Sequence, residues 1–292
     1  MYEHILFCLV YLHNYKQKIT TIRKLKQSLA IGFLFLAQLG YSQSSRVQII
    51  HNAADLAADT VDVWVNNTLL LDDFPFRTAS PFVNGPVGSF DVIIQPKTSI
   101  DTTNALFRQT LSLAANDTVI VVANGIVSAT VYSPATPFGL DVFAAAREAS
   151  GVATITDVLV YHGSTDAPTV DVLESSIPAG TVVDSIAYSE FDGYLSLNTQ
   201  AYTLDVIVNG TTTSAGIFSA PLSSLGLGGS AITVLASGFV DPTVNSNGAA
   251  FILWVALPAG GNLVSLTNIT SLDEQFLQLS NSLNLYPNPS NG

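Results

Sequence analysis

The chain carries one pattern twice, and this duplication constrains its fold more than any other feature. Residues 46–65 read RVQIIHNAADLAADTVDVWV and residues 157–173 read DVLVYHGSTDAPTVDVL. In each, an apolar run ends in His, a small-residue turn brings Asp four positions later, and Val-Asp-Val follows. His51 aligns with His162 and Asp55 with Asp166 at one offset, and Asp62 with Asp171 after a loop two residues shorter. Further along, Phe90 to Ile94 aligns with Leu204 to Val208, and Val121 to Gly125 with Val234 to Gly238. Drift of this kind is what insertions and deletions in surface connections produce. A period above 100 residues is too long for a solenoid repeat, so the pattern reads as two copies of one domain, 44–150 and 151–268.

Within each copy the runs are strand-like. Val61, Val63 and Val65 alternate with Asp62 and Trp64, and Tyr202, Leu204, Val206 and Val208 share one face. Thr118 to Val122 and Ala231 to Leu235 are short, continuous β-branched runs, the pattern of strands buried on both sides or facing a second sheet. Asn66-Asn67, Asn84-Gly85-Pro86, Asn116-Asp117 and Asn209-Gly210 separate the runs as turns. Charged residues make up only 11% of the chain, which suits strands and tight turns rather than solvated helices. The expected fold is all-β: two tandem antiparallel Greek-key sandwiches, immunoglobulin-like, set end to end through a linker at 147–156.

The charge distribution narrows the partners. After residue 43 there are five basic residues against twenty-one acidic ones. Such a body repels phosphate backbones, which excludes nucleic acid as a partner. Before residue 44 the balance reverses: Arg23, Lys24 and Lys26 precede an apolar stretch at about 29–38, and Ser42 offers a small residue at a cleavage point. Residues 1–43 therefore read as a leader with a signal peptide, its apolar stretch too short to span a bilayer. The mature chain is expected to carry no transmembrane segment. Cys8, the single cysteine, lies in that leader, so the mature chain has no disulfide and relies on core area for stability.

The candidate chemistry is sparse. His51 with Asp55, and His162 with Asp166, could orient a base or hold a metal. Because the pattern recurs with the fold, the expectation is instead a structural turn motif formed by His51, Asp55, Asp62, His162, Asp166 and Asp171. Asp55, Asp59 and Asp62 form one acidic grouping and Asp72 with Asp73 another, but no spacing matches a calcium loop and no metal or cofactor is expected. No nucleophile elbow or phosphate-cradling glycine loop is present, and the glutamates are scattered. The expected class is non-enzymatic. Tyr188, Phe191 and Tyr194 form a possible sugar platform, loosely matched by Phe74, Phe76 and Phe82 in the first copy, although aromatic rings also serve sandwich cores.

The opening of each copy, most clearly Tyr161-His162-Gly163-Ser164-Thr165-Asp166-Ala167-Pro168-Thr169-Val170-Asp171-Val172, resembles a bacterial extracellular family known only as domain of unknown function 4397. The resemblance covers about residues 46–267 and implies a cell-surface β-sandwich with no established activity. Near the C-terminus, Tyr286-Pro287-Asn288-Pro289 resembles the opening of the type A sorting domain of the Bacteroidetes type IX secretion system. Residues 269–292 would then be a connector and a truncated sorting motif, and the secretion machinery a partner. The resulting expectation is an exported protein, secreted or displayed on the outer-membrane exterior, that engages envelope proteins or surface glycans. The alternative is a carbohydrate-binding accessory module beside a surface enzyme.

Overall fold

The computed structural model describes residues 44–128, 130–177 and 180–269. The leader and the sorting motif at Tyr286, Pro287, Asn288 and Pro289 lie outside the described residues. In the first half the strands are β1 (Ser45–His51), β2 (Thr60–Val65), β3 (Thr68–Pro75), β4 (Thr78–Ala79), β5 (Val83–Gly85), β6 (Gly88–Pro96), β7 (Phe107–Leu113), β8 (Thr118–Asn124) and β9 (Gly139–Ala144). The second half has β10 (Ile155–His162), β11 (Val170–Glu174), β12 (Gly180–Ile186), β13 (Phe191–Asn198), β14 (Ala201–Val208), β15 (Ser214–Pro221), β16 (Ala231–Ser237) and β17 (Ile252–Ala256). Three short strands follow: β18 (Gly261–Asn262), β19 (Val264–Ser265) and β20 (Thr267–Asn268).

These strands form two β-sandwiches. In the first, an outer sheet β3-β2-β6-β7 faces an inner sheet β4-β1-β8-β9, with β5 also paired to β1. In the second, the outer sheet β12-β11-β14-β15-β20 faces the inner sheet β13-β10-β16-β17-β19. The alternation seen in the sequence decides which side chains meet. Val61 and Val63 of β2 pack with Val92 and Ile94 of β6 and with Val119 and Val121 of β8. Val170 and Val172, Val206, and Ile232 and Val234 do the same in the second core.

The sheets are not purely antiparallel. β1 runs parallel to β8, from Arg46 opposite Thr118 to His51 opposite Ala123, and β10 runs parallel to β16, from Asp157 opposite Ala231 to His162 opposite Ala236. Parallel pairing goes with burial on both faces, and every residue of β16 is buried.

That two-sided burial has a direct cause, and it corrects the end-to-end arrangement. The inner sheets of the two sandwiches pack face to face. Ile50, Ile120 and Val122 from the first meet Leu159, Tyr161 and Leu235 from the second, joined by Phe143, Phe191, Tyr194 and Trp254. The molecule is thus a stack of four sheets with three apolar layers between them. Polar ties cross the middle layer. The Gln48 amide donates to the Leu257 carbonyl at 2.8 Å. Arg77 lies over the Trp254 ring at 4.4 Å and donates to the carbonyls of Ser237 and Ala250. β18, which follows the second half, pairs with β4 of the first. Asn52 Nδ2 reaches the carbonyls of Gly163 and Ala236, each at 3.3 Å. Gly163 is required there, because a Cβ would stand 2.0 Å from that amide nitrogen. The expected linker is also held: Arg46 pairs with Glu148 at 2.7 Å and Arg147 with Asp157 at 2.8 Å.

Candidate functional site: the histidine turns and the joined loop face

Each histidine closes the strand that begins its sandwich, and each is buried. His51 Nε2 donates to the Ala58 carbonyl at 2.7 Å, while Nδ1 accepts from the Ala53 amide at 3.4 Å. The tautomer follows from these partners. Burial pushes the His51 pKa down to about 4. His162 Nε2 donates to the Pro168 carbonyl at 3.0 Å, and burial lowers its pKa too. Its Nδ1 is buried without a partner.

Neither ring touches its aspartate. Asp55 caps the short helix Leu56–Ala58 through the Ala57 amide at 2.9 Å. Its other contacts reach across to the loop after β8: the amides of Val127 and Ser128 at 2.8 and 2.7 Å, and the Ser128 hydroxyl at 2.8 Å. Burial opposes ionisation of Asp55, but these donors prevail and its pKa lies below the usual carboxylate value. Asp166 repeats the arrangement on the loop after β16, accepting from the amides of Val240 at 2.8 Å and Asp241 at 2.9 Å and from Asn245 Nδ2 at 3.1 Å. The His–Asp pattern therefore brings together a turn and a distant loop, with the histidine holding one and the aspartate the other.

Asp62 and Asp171 hold a third feature. Each accepts from the amide of a residue with positive φ on the neighbouring strand: Asp73 (φ 49) at 3.0 Å and Ser185 (φ 59) at 2.8 Å. The strand register shifts beside both aspartates, so each carboxylate caps a bulge. Among the described residues three carboxylates come together within 4.8 Å of one another, those of Asp62, Asp72 and Asp73. Asp62 thus joins Asp72 and Asp73 rather than Asp55 and Asp59. Both Asp62 oxygens already accept hydrogen bonds, from Asp73 and from Ser99.

Tyr188, Phe191 and Tyr194 do not form an exposed platform. Phe191 lies 4.6 Å from Tyr161 and 5.3 Å from Phe143, ring centre to ring centre, inside the layer between the sandwiches. Tyr194 packs edge-on to Phe143, and its hydroxyl accepts from the Arg147 amide. Tyr188 turns toward His162. The sequence left a sugar platform and a core role both open for these rings, because nothing in it reveals that a second sheet covers β13. Phe74 and Phe82 are likewise buried.

The surface that sequence reasoning missed is the one these turns support. The loops after β8 and β16, one from each half, meet. Tyr132 packs on Phe239 with ring centres 5.7 Å apart, beside Ile126 and Ala54. The Ser133 amide donates to Asn245 Oδ1 at 2.9 Å, and the Ser246 hydroxyl donates to the Val131 carbonyl at 3.1 Å. Around this junction Leu56, Val131, Val240 and Val244 are 58%, 68%, 51% and 49% exposed. The available signal was apolar residues inside Gly-, Pro- and Asn-rich connections.

Fold and site define an all-β protein of two packed sandwiches whose repeated polar motif positions loops. Residues 45–143 match the family described as a domain of unknown function (DUF4397). No curated protein matches the chain. Similar solved structures include a streptococcal virulence factor described as binding alpha-glucan, 10% identical, covering 65% of this chain and 92% of that one, with a TM-score of 0.22. Another is a family 41 carbohydrate-binding module from streptococcal virulence factors, 10% identical, covering 69% and 100%, with a TM-score of 0.23. At TM-scores this low the likeness carries no argument, and the fold rests on the strand pairing itself. Among the described residues no helix is long and apolar enough to cross a membrane.

Proposed function

We propose that the protein is an exported, non-enzymatic surface protein of two related sandwich modules, which binds an envelope or cell-surface partner through the joined loop face. The observation that carries this reading is four exposed apolar side chains, Leu56, Val131, Val240 and Val244, on segments flanking the junction where Tyr132 and Phe239 of the two halves meet. Loops held by a rigid β scaffold are where binding residues concentrate, and clustered exposed apolar groups mark interaction sites. The equivalent strand pairing of the two halves supports reading residues 151–268 as a second copy of the same domain. The basic-then-apolar leader and the Tyr286 to Pro289 motif support export through the type IX machinery, to the outer-membrane exterior.

The test is binding of the mature protein to whole cells and envelope fractions of the producing bacterium, beside a glycan array. Val131→Asp with Val240→Asp should abolish cell or envelope binding while leaving the melting temperature within a few degrees. Binding equal to wild type in that variant would sink the reading. Retained oligosaccharide binding on the array would instead favour the carbohydrate-binding alternative.

A further inference from the structure

The apolar layer inside each sandwich is incompletely filled. Between the inner and outer sheets of the second half lies an apolar cleft of about 310 Å³, and the first half holds one of about 290 Å³, each partly open to solvent. Val158, Val172, Val206 and Val234 line the former, and Val47, Val63, Val92 and Val121 line the latter. These are corresponding positions on corresponding strands, so the two spaces occupy equivalent places in the two sandwiches. No charged side chain lines either one. The few polar side chains include the ring of the motif histidine, His162 or His51.

Two physical points decide what such a space can hold. Protein interiors are packed to the density of organic crystals, and an empty volume destabilises in proportion to its size. Water is a poor occupant, because a buried water needs two to four polar partners, whereas dry apolar cavities of about half this volume accept benzene or xenon. Ligand pockets of about 300 Å³ and above are typically apolar with a few polar groups that set orientation. The absence of any cation in the wall excludes a buried carboxylate or phosphate head, since an unpaired charge is costly to desolvate. Branched aliphatic chains make up most of each wall, with Tyr161 and Phe251 or Phe74 and Phe90 among them, which suits a flexible alkyl chain.

From this we infer that each sandwich binds one neutral aliphatic molecule, of the size of a medium-chain alcohol, between its two sheets. The site is separate from the loop face and does not depend on the function proposed for it.

The probe is the neutral dye N-phenyl-1-naphthylamine, titrated into the full chain and displaced with 1-decanol or decanoate at pH 8. The expected result is saturable binding of two equivalents per chain, displaced by the alcohol and at least tenfold less effectively by the carboxylate. Val172→Phe fills the second cavity and should leave one equivalent; adding Val63→Phe should leave none. Absence of saturable binding, or two equivalents retained in a folded Val172→Phe protein, would overturn the inference, and preferential displacement by decanoate would overturn the neutral-ligand assignment. Should the phenylalanine variants fail to fold, methyl NMR of the wild-type chain under xenon decides. Shifts centred on the valines of both cavities support the inference, and unshifted valines reject it.

Discussion

At the scale of single residues, a buried histidine is held neutral by its surroundings, and this makes a pH prediction. His51 has its pKa lowered from 6.5 to about 4 by burial. Between these values the unfolded chain binds the proton that the folded chain refuses, so stability rises with pH across the window. The contribution is fully present above about pH 6.5 and is lost as pH falls through 4, and it amounts to about 3 kcal/mol. Urea midpoints measured from pH 7 to pH 4 should therefore fall more steeply for wild type than for His51→Gln, which has nothing to titrate there. Parallel curves would show that His51 does not set the acid sensitivity. At pH 7, His51→Ala and His162→Ala should each cost about 1–3 kcal/mol, because Ala58 or Pro168 loses the donor to its carbonyl. The recurrence of His and Asp was legible in the sequence, since repetition with the fold signals a structural part. The partners of the aspartates were not, because the atoms involved are backbone groups on loops more than 70 residues away.

At the scale of elements, Asp55 and Asp166 govern the loops after β8 and β16. Each replaces what would be several unpaired amides by charge-assisted hydrogen bonds. Asp55→Ala should lower stability by about 3 kcal/mol, the scale of a lost hydrogen bond to a charged group with part-buried partners, and Asp166→Ala by less, because the Val240 and Asp241 amides are exposed and water can replace the carboxylate. Hydrogen exchange provides the sharper readout. Amides at 127–128 should lose protection in the first variant and those at 240–241 in the second, while β8 and β16 keep theirs. Uniform loss of protection would mean that the aspartates support the whole sandwich and not the loop. The strands themselves were largely legible. The alternation in β2 and β14 gave their inward faces correctly, and the continuous apolar runs of β8 and β16 announced burial on both sides. What those runs could not announce was a parallel partner, because β1 and β8 are separated in the chain by six other strands and their pairing leaves no local signal.

At the scale of the whole molecule, the third apolar layer changes what the halves can do alone. Separated at 150/151, the first half would bare Ile50, Ile120 and Val122 and lose β18 from its sheet edge. The second would bare Leu159, Leu235 and the ring face of Trp254 that Arg77 covers. Each is long enough to enclose its own core, but neither has a polar face where its sister now sits. Expressed separately, 44–150 and 151–268 should aggregate or melt well below the full chain, and co-expression should recover a soluble complex. Two soluble halves melting cooperatively at the temperature of the intact chain would show that the middle layer adds nothing. The sequence could not separate these outcomes, because an apolar residue on a strand looks the same whether it faces its own sandwich or the next one.

The contact between Asn52 and Gly163 carries a consequence for assembly. These residues follow the two histidines directly and hold the same place in the repeated pattern. The amide of one fits only because the other has no side chain. Two first halves brought together by this face would set asparagine against asparagine with no space between them. Two second halves would leave the carbonyls of Gly163 and Ala236 without a donor. A chain of two similar halves that joins through matching faces risks linking to its neighbours. Here the difference at one position lets each half recognise the other and refuse its own kind, which favours closure within a single chain over polymerisation.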